Sequence, residues 1–450
     1  MEGSPRLPRN SCRCADTRPL RRRGPLRRAT APVPLRAIML RSPKSPKRIT
    51  ASATARAWQA SAFLAGALAM LAVGLAAGRA ASPQSPFRWD IPAWLPPPPV
   101  PADNPMSAEK VALGRHLFYD ARLSRDGTLA CVSCHLPQHG FADRRPLAVG
   151  VDGERAHRNA MGLANVGYLP VLTWSNPNLT SLEFQALIPI FGTHPEEMGM
   201  AGREETLFAT LSADADYQRL FRAAFPERGG EISLFTLTRA LAAFQRTLIS
   251  ATSPYDRYKY GGDEMALSEQ AKRGEALFFD HRLECYHCHS GFNFTNTWQS
   301  SRMPFPEVGF HNNGLYNIGA EGAYPRSAPG LIEHTGKAED MGRFRTPSLR
   351  NVELTAPYMH DGSIATLEEV VRHYEAGGRR VHAGPNAGIG ADSPFKDFLI
   401  QGFRLADEER ADLIAFLRSL TDQSFIENRA FSDPWPVGHP ATQKRRMSSE

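Results

Sequence analysis

Apolar and polar residues alternate at helical spacing in several separate stretches of the chain. Two such stretches, 107–118 and 268–278, each begin at a serine suited to cap a helix and lead into a cysteine-bearing loop. Further helices are predicted over 207–225, 234–249 and 407–420. Strand-like alternation is rare, and loops rich in glycine and proline are many. The pattern predicts a mainly α fold with long loops.

A ten-residue pattern occurs at residues 114–123 and again at residues 274–283. Glycine, leucine, phenylalanine, aspartate, arginine and leucine recur in register between the two copies. The glycine lies 17 residues before the next cysteine in the first copy and 11 residues before it in the second, so the connecting loops differ in length. One unit is therefore present twice, which predicts two related domains.

Each copy leads into a Cys-x-x-Cys-His motif, the attachment signature of c-type haem. The two thiols bond to one porphyrin, and the histidine becomes a ligand of the iron. A redox dithiol, or four thiolates on zinc, would need no histidine after the second cysteine, yet one stands there in both motifs. The predicted attachment residues for two haem c groups are Cys131, Cys134 and His135, then Cys285, Cys288 and His289.

The repeat and its flanks divide the chain into six predicted segments. They are a basic N-terminal segment with an export signal or anchor (1–82), a proline-rich arm (83–106), a first haem c domain (107–252), a linker (253–263), a second haem c domain (264–425) and a C-terminal tail (426–450). The chain has 450 residues, 42% of them hydrophobic, which is enough apolar material for two cores.

The net charge of +7 comes from one end of the chain. Residues 1–56 contain 15 basic and two acidic side chains, whereas the remainder has 38 basic and 44 acidic ones. The predicted haem domains are therefore mildly anionic, which argues against a nucleic-acid partner.

An apolar stretch follows this basic segment. Residues 58–77 form a nearly continuous run of apolar residues, and small residues lie around Ala80. A basic region, an apolar region and a small-residue cleavage zone are typical of an export signal. The stretch is also long enough to remain as a membrane anchor. We expect a periplasmic protein, cleaved or retained by this anchor, because c-type haem is attached after export.

Residues 344–352 (Phe-Arg-Thr-Pro-Ser-Leu-Arg-Asn-Val) and 354–362 (Leu-Thr-Ala-Pro-Tyr-Met-His-Asp-Gly) make the chain resemble a known superfamily. Together with the haem motifs, they are similar to the bacterial di-haem cytochrome c peroxidase and MauG superfamily over roughly residues 105–425. Residues 89–106 and 310–317 most resemble its MbnH-like branch.

The resemblance implies an exported di-haem peroxidase-type oxidase. Such an enzyme uses hydrogen peroxide to reach a high-valent di-haem state and oxidises a partner side chain by long-range electron transfer. In the MbnH-like branch the target is a tryptophan of a small exported copper-binding protein, which becomes kynurenine. Two alternatives are a cytochrome c peroxidase fed by a small cytochrome or cupredoxin, and a non-enzymatic di-haem electron carrier.

The resemblance also assigns axial positions. The first haem of the plain peroxidases is capped by a histidine where this chain has Val151, which implies an open, peroxidatic first haem; His139 and His157 are nearby alternatives. For the second haem, Tyr374 stands where MauG-like enzymes have a tyrosine ligand, and Met359 competes with it. A phenolate favours oxidised iron, unlike a thioether.

Further residues are implied by the same resemblance. Gln185, Pro189 and Glu197 would form the peroxide pocket, with Glu196 as a rival acid–base group, and Trp174 would relay electrons between the haems. A calcium ion would be held by the Asn159 side chain and the carbonyls of Thr355 and Pro357. Leu283 replaces a tryptophan of MauG-like enzymes, so we expect a different exit path.

Overall fold

The computed structural model describes residues 87–447, and helices account for most of its regular structure. The α-helices of this part are α1 (Ala108–Phe118), α2 (Leu182–Gln185), α3 (Leu187–Phe191), α4 (Glu204–Ser212), α5 (Ala215–Ala224), α6 (Leu234–Arg246), α7 (Pro254–Gly261), α8 (Glu269–Phe278), α9 (Cys285–Cys288), α10 (Ile332–Thr335), α11 (Leu367–Glu375), α12 (Asp407–Arg418) and α13 (Gln423–Ile426). The expected mainly α fold is confirmed.

Short strands and 3₁₀ turns complete the regular structure of the described residues. Strand β1 (Phe310–His311) pairs antiparallel with β2 (Phe344–Arg345), and β3 (Arg380–Val381) pairs with β4 (Gly388–Ile389). The 3₁₀ turns are Ala121–Leu123, Cys131–Ser133, Pro137–His139, Val166–Tyr168, Pro226–Arg228, Ala338–Asp340, Val352–Leu354, Gly390–Asp392 and Arg429–Phe431.

Two close helix crossings explain the repeated glycine of the sequence. A Cβ atom on Gly114 of α1 would lie 1.9 Å from the carbonyl oxygen of Ala240 on α6. A Cβ atom on Gly274 of α8 would lie 2.0 Å from the carbonyl oxygen of Asp412 on α12. Only glycine permits these approaches. The serines predicted to cap these helices do so: Ser107 accepts from Lys110 N and Ser268 from Ala271 N.

Each crossing has its own apolar core. The first core surrounds Phe118, Phe221 and Phe244, which are almost fully buried. The second core surrounds Phe278 and Phe416. The two cores lie in one compact unit of the chain, and the predicted boundaries of the two haem domains stay a prediction.

Equivalent asparagines lie in the chain between the two helices of each crossing. Asn165 and Asn351 both have a φ of 59° and are fully buried. The backbone N–H of Asn165 donates to Leu248 O, and that of Asn351 donates to Leu420 O. Both side chains then accept a backbone N–H just beyond, from Ser250 and from Asp422. The repeat therefore extends well past the residues that the sequence pattern revealed.

The segment predicted as a linker contains a helix. Helix α7 begins after Ser253, whose side chain accepts from the N–H of Asp256. Asp256 and Arg350 form an ion pair of 2.5 Å in which both side chains are buried, and Tyr255 packs into the second core. Tyrosine and glycine suggested a loop, but these long-range contacts stabilise the helix.

The predicted helix over 207–225 is two helices. Asp214 interrupts it, because its side chain accepts from the N–H of Asp216 and so caps α5. The same carboxylate pairs with Arg122 at 2.9 Å. The helices predicted to reach residues 249 and 420 end at Arg246 and Arg418.

The C-terminal segment returns to the first core. Phe431, Trp435 and Ala441 are buried there, and the hydroxyl of Ser133, within the first haem motif, donates to Arg446 O at 2.6 Å. The chain after the second domain therefore helps to hold the first motif in place.

The proline-rich arm is tied to the first domain by a buried charge cluster. Leu95 of the arm is buried beside Tyr168. Asn104 donates to Glu183 at 2.7 Å, and Arg246 pairs with Glu183 at 2.9 Å. These bonds connect the arm, α2 and α6.

Among residues 87–447, no helix combines the length and hydrophobicity needed to cross a bilayer. The export signal or anchor predicted within residues 1–82 lies outside the described residues.

We predict that Glu183→Gln destabilises the protein above about pH 4.5. Burial opposes ionisation of this carboxyl, but the bonds from Arg246 and Asn104 outweigh it and lower its pKa from 4.5 to about 2. The charge therefore stabilises the fold above the unfolded-state pKa, and this stability is lost as the pH falls towards 2. Denaturant unfolding at pH 7 should show a loss of roughly 3 kcal/mol.

The matched control is Glu205→Gln, at an exposed glutamate of α4. An equal loss in both variants, or a loss from Glu183→Gln that is as large at pH 2 as at pH 7, would contradict the role of the ion pair.

Candidate functional site

The two motif histidines are oriented in the same way. His135 Nδ1 lies 2.8 Å from Phe141 O, and His289 Nδ1 lies 3.0 Å from Phe294 O. A carbonyl oxygen can only accept, so each Nδ1 carries the proton and each Nε2 keeps its lone pair. Burial lowers the pKa of both imidazoles, that of His289 to about 4. Both rings are therefore neutral and ready to ligate a metal through Nε2.

The carbonyls that orient these rings depend on an unusual backbone. Phe141 has a φ of 60° and Phe294 a φ of 49°, both in the left-handed region that phenylalanine rarely adopts. Burial of the two rings in the cores holds this conformation. Sequence reasoning missed both residues, since the ten-residue repeat ends before them.

The motif cysteines suit covalent attachment better than thiolate chemistry. Burial raises the pKa of Cys131, Cys134 and Cys285 to about 12. A redox dithiol requires an accessible thiolate, which this burial disfavours. A neutral thioether to haem is compatible with this apolar setting, so the motifs fit haem c.

A large cavity adjoins the second motif. The residues that line it include Cys285, Cys288, His289, Leu283, Tyr374, Met359, Trp174, Asn159, Thr355, Pro357, Asn313, His311, Arg345 and Phe403. The structure thus brings together the predicted second-haem, relay and calcium residues, which the sequence places more than 200 positions apart.

Arg345 gives the cavity an unbalanced positive charge. Its side chain is fully buried, and burial lowers its pKa to about 10. Within residues 87–447, Arg345 forms no ion pair with a carboxylate. Its guanidinium donates instead to Thr173 O and Thr346 O. A haem propionate would supply the missing anion, so this cavity fits a haem. Sequence reasoning did not single out Arg345.

Tyr374 projects from α11 into this cavity. Burial raises the pKa of its phenol to about 12, and a hydrogen bond from Asn313 opposes the rise. The same Asn313 amide lies 3.4 Å from the sulfur of Met359. The rival ligands therefore share one donor and line one cavity. The neighbouring His373 is buried and donates from Nε2 to Asn313 O at 3.0 Å.

A second imidazole, which sequence reasoning missed as a site residue, lies beside the second motif. His311 Nδ1 is 2.6 Å from Asp397, and its Nε2 is 2.8 Å from the Asn296 amide. Burial favours the neutral ring, but the hydrogen bond to Asp397 opposes it and raises the pKa of His311. The His311–Asp397 pair lies beside the attachment cysteine Cys288.

Backbone pairing brings together some of the residues predicted for the peroxide pocket. Val151 N donates to Glu197 O at 2.9 Å, and Met198 N donates to Pro189 O at 2.9 Å. These bonds join the loop of Val151 and helix α3 to the segment of Glu197. Gln185 ends α2, which leads through Ala186 into α3, and the pocket itself stays a prediction.

The two candidate acids have different environments. Glu196 pairs with Arg125 at 2.8 Å. Glu197 is half-buried, and desolvation raises its pKa. Its charge also contributes to the raised pKa of Cys131 and Cys134, so its carboxyl lies near the first motif.

The alternative ligands for the first haem, His139 and His157, lie in different environments. His139 is half-buried and donates from Nδ1 to Leu354 O at 3.3 Å, while His157 is exposed. The hydrogen bond from His139 joins the loop of the first motif to the segment that follows Asn351.

Trp174 lines the cavity of the second motif although it belongs to the first predicted domain. Its indole N–H donates to Asn159 O at 2.8 Å, and its carbonyl accepts from Arg345 N at 2.7 Å. Asn159 in turn uses its amide nitrogen on Arg145 O and Pro146 O.

Comparisons with known proteins agree with this geometry. The family model described as di-haem cytochrome c peroxidase matches residues 108–265. The methylamine utilization protein MauG of Methylophilus methylotrophus is 37% identical over 72% of this chain and 85% of its own length. The cytochrome c551 peroxidase of Pseudomonas aeruginosa is 32% identical over 60% of this chain and 72% of its own.

Solved structures give the same result. A MauG-like protein associated with microbial copper homeostasis is 50% identical, with a TM-score of 0.76, and the match covers 78% of this chain and all of that one. The di-haem peroxidase BthA of Burkholderia thailandensis, at 21% identity and a TM-score of 0.53 over 73% of this chain and 91% of that one, shares the fold.

We predict that Arg345→Leu lowers the midpoint potential of the second haem. The buried guanidinium favours ferrous iron, which has the lower positive charge. Its removal should therefore make reduction of the haem less favourable by a free energy on the order of 1 kcal/mol. Spectroelectrochemical titration of the haem-loaded protein measures this shift.

Arg343→Leu is the control, because Arg343 lies two positions away with a side chain 42% exposed. A shift of equal size in both variants would mean that the effect is not specific to the buried charge.

Proposed function

This chain belongs to the di-haem cytochrome c peroxidase family, and we propose that it uses hydrogen peroxide to oxidise a side chain of a partner protein. As a member it is a di-haem oxidoreductase that acts with peroxide and carries two haem c groups. When bound, these groups take up the two oxidising equivalents of one peroxide and release them one electron at a time.

The observation that carries the proposal is the phenol of Tyr374 in the second cavity. Burial favours the neutral phenol. The charge of a haem iron bound in this cavity would hold the phenolate instead, and Asn313 would stabilise that phenolate. An anionic oxygen ligand lowers a haem potential. This suits a haem that stores an oxidising equivalent better than one that accepts electrons from a donor protein.

The first site is suited to peroxide. The aliphatic side chain of Val151 cannot ligate iron, so this side stays open for the oxidant. Glu197 holds a proton more tightly than an ordinary carboxyl, and in our proposal it transfers this proton to the leaving oxygen of peroxide. Gln185 and Pro189 complete the pocket, while Glu196 stays paired with Arg125.

Trp174 is our proposed relay between the two haems. Its indole N–H donates to a carbonyl, the backbone oxygen of Asn159. A carbonyl is a weak base, so an oxidised indole would keep its proton at Nε1 and accept an electron back without proton transfer. That property suits a reversible relay.

We propose a calcium site next to this relay. Asn159, Thr355 and Pro357 line the same cavity, and the proposed ligands are the side-chain oxygen of Asn159 and the carbonyl oxygens of Thr355 and Pro357. Oxygen donors of low charge, completed by water, suit Ca²⁺. Because Asn159 also accepts from Trp174, the ion would fix the position of the indole.

The proposed partner is a small exported copper-binding protein whose tryptophan becomes kynurenine. Support comes from the 50% identical MauG-like protein associated with microbial copper homeostasis. We also propose a periplasmic location, either after cleavage of the N-terminal segment or by its retention as an anchor, and the six-segment domain organisation predicted from the sequence.

A second candidate is an ordinary cytochrome c peroxidase that takes electrons from a small cytochrome or cupredoxin. The likeness to the cytochrome c551 peroxidase favours it. Val151 and Tyr374 argue against it, since neither position holds the ligand found in those enzymes.

Electron paramagnetic resonance tests the proposal directly. We expect one high-spin and one low-spin ferric haem at rest, both signals being lost on addition of one equivalent of H₂O₂. Two low-spin haems that do not react with peroxide until one of them is reduced would favour the ordinary peroxidase. Mass spectrometry of a co-incubated copper-binding partner should then show tryptophan oxidation.

We predict that Glu197→Gln slows the reaction with H₂O₂ by about 10²–10⁴-fold, since a positioned acid–base group contributes about this much. Stopped-flow absorbance measures the rate. Glu196→Gln, at the neighbouring but paired acid, should react at nearly the wild-type rate. A reversed order of the two variants would transfer the role to Glu196.

We predict that Tyr374→Met raises the potential of the second haem, because a thioether favours ferrous iron. The low-spin signal should change as well. If both the potential and the signal stay unchanged, Tyr374 is not the ligand, and Met359→Leu becomes the informative variant.

A further inference from the structure

A cluster of metal-binding side chains lies on the outer side of the second motif. We propose that His281, Glu284 and His287 form a binding site for a divalent transition-metal ion, Zn²⁺ or Cu²⁺. Nothing in the proposed peroxide chemistry uses these residues. The site would be separate from the haem iron and open to solvent.

The donor atoms are spaced for one ion. His287 Nε2 lies 2.5 Å from Glu284 Oε2, and His281 Nδ1 lies 3.9 Å from Glu284 Oε1. One ligand atom from each residue lies within 4.8 Å of the others. Two ligands of a tetrahedral zinc ion are roughly 3.3 Å apart, so small rotations of side chains would complete the set.

The chemistry of the donors selects the metal class. Two imidazoles and one carboxylate are typical of zinc and copper sites, whereas calcium and magnesium prefer oxygen alone. Three ligands from one short stretch leave the remaining positions to water or to a donor from another molecule.

Glu284 contributes a buried carboxylate oxygen to the cluster. Its Oε2 atom is buried, and its short contact is with His287 Nε2, a contact that a metal ion bound to both atoms would replace. The residue has a φ of 58° and directly precedes α9, which carries both attachment cysteines. Covalent attachment of the haem would keep this backbone in place, so Glu284 and His287 are pre-organised.

One hydrogen bond competes with the ion. The hydroxyl of Tyr286 lies 2.8 Å from His281 Nδ1. That imidazole nitrogen must release the phenol before it can ligate a metal. His281 is otherwise free to move, since its side chain is 87% exposed.

A second cluster, Asp214, Asp216 and His439, shows the contrast. Asp214 already pairs with Arg122 at 2.9 Å and caps α5. Its carboxylate is occupied, so we propose no site there.

The test is calorimetric titration of the untagged, haem-loaded protein with Zn²⁺. We expect one site per chain, with affinity reduced at least about tenfold in His281→Ala and in His287→Ala. Both variants keep the Cys-x-x-Cys-His motif, and haem absorbance confirms that they are loaded and folded. His382→Ala, at an exposed histidine outside the cluster, is the control and should bind like the wild type.

Absence of a stoichiometric site in the wild type, or equal loss in His382→Ala, would overturn the proposal. Tyr286→Phe removes the competing hydrogen bond, so its Zn²⁺ affinity should be equal or higher; a loss would refute the three-residue ligand set. With Cu²⁺ as the probe, paramagnetic resonance should show nitrogen coupling from two imidazoles, and from only one in His287→Ala.

Discussion

The hydrogen bond from each motif histidine to a backbone carbonyl is the interaction on which the functional parts of this protein depend. It fixes the tautomer and the direction of His135 and His289, and so decides where each iron would lie. The bond exists because Phe141 and Phe294 adopt a left-handed backbone conformation that their buried rings hold in place. Each haem position is therefore determined by a core, and not by the motif alone.

The same framework occurs twice, and the two copies differ where chemistry requires it. Both have a glycine at a helix crossing, an orienting carbonyl and a buried asparagine of equal φ. The copies differ elsewhere: Val151 and Glu197 belong to the first copy, and Tyr374 belongs to the second. Duplication explains the common attachment motif, and in our proposal the differences allow one haem to react with peroxide while the other stores an oxidising equivalent.

Long-range contacts join the two copies into one unit. Asp422, beyond the second core, accepts from the backbone N–H groups of Ala251 and Thr252, just beyond the first. Trp174 belongs to the first predicted haem domain but lines the cavity of the second motif. The backbone N–H of Arg345 donates to its carbonyl there. Rigid junctions of this kind suit electron transfer, because the rate depends on a fixed separation between the redox groups.

The sequence by itself determined the two attachment motifs, the capped helices before them and the duplication, because these depend on neighbouring residues and regular spacing. Only the tertiary structure decided between Glu196 and Glu197 as the desolvated acid, since Arg125, far away in sequence, pairs with Glu196. It also placed a helix, α7, within the predicted linker, stabilised by the buried contact of Asp256 with Arg350. It placed Asn313 beside Tyr374. Such features arise from partners distant along the chain, whose proximity no local pattern encodes.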